Sequence, residues 1–111
     1  MSKKYSKEFK SASIGLLLNI IQKVDEEDSV KYYNFFQKKL HIDNDEFELA
    51  KEQEEMPQSE YIDTISKELE HKNHEILEFL MILNRCIIID GCDLKSYQRF
   101  EEIRDSFIEK F

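Results

Sequence analysis

Four aspartates stand in two matched pairs, Asp25 with Asp28 and Asp90 with Asp93. Each pair falls where one apolar segment stops and the next begins. Calcium and magnesium are hard cations that want several oxygen ligands at once. Two acidic turns brought together, with backbone carbonyls and water, would supply them. The competing reading is capping, in which each aspartate satisfies free amides at a helix start, worth about 0.5–2 kcal/mol. An EF-hand is excluded by residue type. With Gly91 as the sixth loop position, Cys86, Ile88 and Tyr97 occupy positions where acids are required.

Other candidates carry less chemistry. His71 and His74 are three apart, flanked by Glu70 and Glu75. On one helix that spacing could hold zinc, but Lys72-Asn73 reads as a turn between them. Cys86 lies inside an apolar run and Cys92 just beyond it. That spacing is neither a zinc motif nor a redox pair. No nucleophile has a base in supporting context, and no Gly-rich loop can cradle a phosphate. The expectation is therefore a protein that is not an enzyme.

A binding surface is easier to place. From Asp43 to Glu60 there are eight acids and one base, Lys51. A helix here would present Asp45, Glu48, Glu52 and Glu55 on an exposed face able to steer a basic protein partner. The bland alternative is a solvated face that keeps the chain soluble. The whole chain has 111 residues and a net charge of −8, which lacks the basic footprint of a nucleic-acid binder. Lys3, Lys4, Lys7 and Lys10 near the N-terminus could touch anionic lipid at about 1 kcal/mol each. Contact that weak would be transient.

The elements that position these residues are helices. Two glycines and one proline are too few turn formers for an all-β chain. His74 to Gly91 is the most apolar run and is expected to be a central buried helix over about 74–90, capped by Asn73 and closed by Gly91. A second apolar helix is expected from a Ser6 cap to about Val24. A third runs from about Glu26 to Leu40 with Val30, Tyr33, Phe36 and Leu40 as its stripe. Asp43 and Glu46 form a capping box for an acidic helix reaching about Glu54, burying Phe47, Leu49 and Ala50. Ser59 caps a helix using Ile62, Ile65 and Leu69. Asp93 caps the last, with Leu94, Tyr97, Phe100, Ile103 and Phe107 inward. Phe107 and Phe111 suit either the core or a dimer contact. The fold class is all-α, one domain of about six helices over residues 1–111. The N-terminus lacks the apolar core and cleavage site of a signal peptide, and free thiols fit a reducing compartment, so the expected location is cytoplasmic.

The halves match at an offset of 65 residues: Leu18-Asn19 with Leu83-Asn84, Asp25 with Asp90, Asp28 with Asp93, Tyr32 with Tyr97 and Phe35 with Phe100. Each half is an apolar helix, an acidic turn and an aromatic helix. Two such hairpins can pack about a pseudo-twofold axis.

With Ile88-Ile89-Asp90-Gly91 as its second turn and His41-Ile42-Asp43-Asn44-Asp45-Glu46-Phe47 as its link into the third helix, the chain resembles the TerB-like helical family, named for bacterial tellurite resistance. The first turn departs from the family's Asp-Gly, reading Asp25-Glu26. Tyr32 and Tyr97 stand where a further acid is expected. The resemblance implies a small cytosolic stress protein, a non-catalytic interaction module with a divalent metal associated with its turns. The charge implies a second expectation, an immunity- or antitoxin-type inhibitor that masks a basic toxin.

Overall fold

The computed structural model describes residues 5–22, 29–70 and 72–109. Six helices follow one another: α1 Lys7–Ile20, α2 Ser29–Leu40, α3 Asn44–Glu52, α4 Gln58–Glu68, α5 Asn73–Ile89 and α6 Leu94–Ile108. No strand occurs among the described residues, so the all-α expectation holds. No helix among them is long and apolar enough to cross a membrane.

Local chemistry sets most of the ends. Ser6 accepts the amide of Phe9 and caps α1. Its hydroxyl and amide both donate to Glu68, which ties the start of α1 to the end of α4. Asp43 and Glu46 complete the capping box of α3. Asp93 caps α6. Two expected caps differ. α4 starts two residues earlier than a Ser59 cap allows, with Pro57 as its N-cap. The ring holds φ at −58°, already suited to a helix start. Asn73 is the first residue inside α5, and Lys72 is its N-cap. α5 closes as a Schellman turn: the amide of Cys92 reaches Ile87 O at 2.9 Å and that of Gly91 reaches Ile88 O at 3.1 Å. Gly91 sits there at φ 102°, where a Cβ would be strained. At the end of α2, His41 takes the left-handed position at φ 57° without being glycine.

α1 touches most of the bundle, packing on α3, α4 and α6. α5 packs on α2 and α6. So α2 of the first hairpin lies on α5 of the second, and α6 of the second lies on α1 of the first. That exchange is what a pseudo-twofold relation between the hairpins requires. One cross-link lies at the C-terminal end of α1 and the other in the last turn of α5. Arg99 Nε donates to Ile20 O at 2.8 Å, and Cys86 Sγ donates to Tyr32 O at 3.8 Å. At the other end Phe9, Phe79 and Phe107 form an edge-on chain joining α1, α5 and α6. Phe107 is thereby core. Phe111 lies outside the described residues.

The apolar patterns are oriented by this packing, and some expected core positions prove open. Ile76, Phe79, Leu80, Leu83, Cys86 and Ile87 bury one side of α5. Its other side exposes Leu77, Met81 and Ile88, so an apolar helix is here buried on one side only. Val30, Leu49 and Leu94 are also exposed, against expectation. In α2 the burial shifts to Tyr32, with Tyr33, Phe36 and Leu40.

Candidate partner-binding face

α3 is held by one buried side chain, Phe47, whose ring packs on Tyr33 at 4.8 Å between centroids. Everything else on the helix is partly or fully open to solvent. Glu46 is committed to structure. Besides closing the capping box, its carboxylate takes Lys10 Nζ at 3.0 Å and so fixes α3 to α1. Lys51, the single base of the stretch, pairs with Glu48 at 3.6 Å. Its ammonium also lies over the rings of Tyr33 and Phe47, 5.8 and 5.6 Å from their centroids. That cation thus folds back toward the core.

Asp45, Glu48 and Glu52 are exposed on α3. Glu55 is exposed too, but not on the helix. α3 stops at Glu52 and Gln53 is extended at ψ 152°. The chain leaves the helix there because α1 takes hold of it. Ser11 Oγ donates to Gln53 Oε1 at 2.6 Å, Asn19 Nδ2 to Glu55 Oε1 at 3.2 Å, and Gln58 Nε2 to Asn19 Oδ1 at 2.6 Å. The expected four-acid helical face is therefore three acids on α3 plus Glu55 on the connection behind it.

Sequence reading missed the apolar centre of this face. Leu49 is 63 % exposed. It lines a groove of about 250 Å³ between α3 and the start of α1, with Lys7, Ser11, Asp45 and Gln53. A second groove, about 340 Å³, runs on between α1, α3 and α4. At its floor Gly15 admits the ring of Tyr61, and the Tyr61 hydroxyl accepts the Met56 amide at 2.8 Å. Leu49 belonged to an apolar trio with Phe47 and Ala50. Only the placement of α1 decides which of the three points inward.

The aspartate turns are placed in part. Asp93 accepts from Ser96 N at 3.3 Å and Ser96 Oγ at 3.4 Å, which is capping geometry. Asp90 is the C-cap of α5, its amide donating to Cys86 O and Ile88 O. Asp25, Asp28 and His71 lie outside the described residues. Among the described residues no three His, Cys, Asp or Glu side chains gather as a metal site. His74 is exposed in the first turn of α5. Cys86 is fully buried, and burial pushes its thiol from the usual 9.0 to about 12. A thiol held protonated is a poor nucleophile. Cys92 is exposed.

Compared with protein-family models, with curated proteins and with solved structures, the chain matches none of them.

Proposed function

We propose that this protein is a non-catalytic interaction module that receives a basic protein partner on its α3 face. One observation carries the reading: a large leucine stands exposed within a field of acids. Leu49 is flanked along α3 by Asp45, Glu48 and Glu52, all exposed. An apolar anchor seated in a groove supplies affinity, and the charged rim supplies steering and choice of partner. The TerB-like resemblance sets this module among bacterial stress proteins of the tellurite-resistance type.

A second reading uses the same face: an immunity-type inhibitor that masks a basic toxin. It is favoured by Lys51. The one cation within the acidic stretch is turned onto Tyr33 and Phe47, so the outward acids Asp45 and Glu52 are left to a partner.

The test is a titration of a fluorescent, Lys- and Arg-rich amphipathic helical peptide carrying leucines, followed by anisotropy at low and high salt. Binding should weaken with salt. It should also fall at least about tenfold in Leu49→Asp and, separately, in Glu48→Lys with Glu52→Lys. Affinity unchanged in both variants would discard the face. Expression in a bacterium separates the readings. Raised tellurite tolerance that the charge reversal abolishes supports the stress module. Unchanged tolerance with protection against a co-expressed basic toxin supports the inhibitor.

A further inference from the structure

The open side of α5 is patterned. Leu77, Met81, Asn84 and Ile88 follow one another at spacings of four, three and four, the seam of a helix that packs on another helix. Leu77, Met81 and Ile88 are 47 %, 69 % and 48 % exposed. The repeat shows what such a face does in the first hairpin. The counterparts of Leu77, Met81 and Asn84 on α1 are Ala12, Leu16 and Asn19. Ala12 and Leu16 are buried, and Asn19 is hydrogen-bonded to the connection between α3 and α4. α1 is covered there by α3 and α4, whereas among the described residues the main neighbours of α5 are α2 and α6, on its opposite side.

Charge identifies the occupant. Glu78 and Arg85 flank the seam on one side, seven residues apart, and both are exposed. Neither has an ion-pair partner among the described residues. Laid antiparallel on a copy of itself, the seam sets Leu77 against Ile88 and Met81 against Asn84. Glu78 of each copy then faces Arg85 of the other. A parallel pairing would put the two copies' Glu78 and Arg85 on opposite sides of the seam, where they could not pair. We infer that α5 is the interface of an antiparallel, twofold-symmetric homodimer, in which the same patch serves both copies. The seam is about 17 Å long at the helical rise. That is short for a stable interface, so the dimer is weak and concentration-dependent. The net charge of −8 per copy opposes association at low ionic strength. At about 0.15 M salt that repulsion is screened beyond about 8 Å.

The experiment is sedimentation equilibrium of the whole chain from about 10 μM to about 1 mM at that ionic strength. The wild type should shift from monomer to dimer. Met81→Glu should weaken the dimer at least about tenfold, with the far-ultraviolet dichroism retained because the side chain is exposed. Glu78→Arg alone should weaken it about two- to tenfold, and adding Arg85→Glu should restore it. A wild type that stays monomeric overturns the proposal. So does a dimer indifferent to Met81→Glu, or a double variant no tighter than Glu78→Arg alone. This face is separate from α3, so peptide binding there and dimerisation here succeed or fail independently.

Discussion

Arg99 on α6 reaches across the bundle and donates from Nε to the carbonyl of Ile20, in the last turn of α1, at 2.8 Å. α1 has no basic residue of its own in that turn. The negative end of the helix and one of its free carbonyls are answered by a residue 79 positions later. Arg99→Met should cost about 1–2 kcal/mol, the value of a partly exposed charged hydrogen bond. Thermal unfolding followed by dichroism should show a fall of several degrees. Arg99→Lys should recover little, because an ammonium lacks the side-on Nε donor.

Gly15 and Tyr61 set the closeness of α1 and α4. A Cβ at Gly15 would stand 2.5 Å from the Tyr61 ring. Gly15→Ala must therefore displace the ring and its bond to Met56, at a cost of about 1–3 kcal/mol. Combined with Tyr61→Ala, the loss should be less than the sum of the two single losses, because one clash is shared. Urea unfolding of the four proteins checks the coupling.

Cys86 makes stability pH-dependent in a defined window. Its folded value, about 12, lies above its ordinary 9.0. The folded chain therefore holds the proton more tightly than the unfolded chain. The contribution is fully present below pH 9 and is lost as pH rises toward 12, by up to about 1.4 kcal/mol per pH unit. Wild type should lose stability relative to Cys86→Ala between pH 9 and the alkaline limit of the measurement. In native protein at pH 8, a thiol reagent should label Cys92 quickly and Cys86 only on unfolding.

Asp93 acts as a cap. Asp93→Ala should cost about 1 kcal/mol and Asp93→Asn much less, since asparagine caps as well. With the chelator-stripped protein, calcium, magnesium, manganese and zinc should each leave the unfolding temperature of wild type and Asp90→Asn in step. A rise of several degrees with one ion in wild type alone would make the turns a metal site.

Helix content, three of the caps and the capping box of α3 are local matters. Each depends on residues within about four positions, and Ser6, Asp43 and Asp93 act within that range. Net charge and the outward acids Asp45, Glu48 and Glu52 are equally legible, because acids stay in water unless a partner repays their burial. The sequence by itself therefore determined an all-α chain with an acidic third helix. Which side of each apolar helix meets a neighbour is a different question. Leu16 and Met81 are counterparts in the repeat, yet one is buried and the other is exposed. Leu49 and Phe47 are two apart on the same short helix, and only Phe47 is buried. Burial there is decided by where α1, α3 and α4 come to rest, through contacts between residues far apart in the chain. The tertiary structure alone turned two apolar positions, Leu49 and Met81, into surfaces.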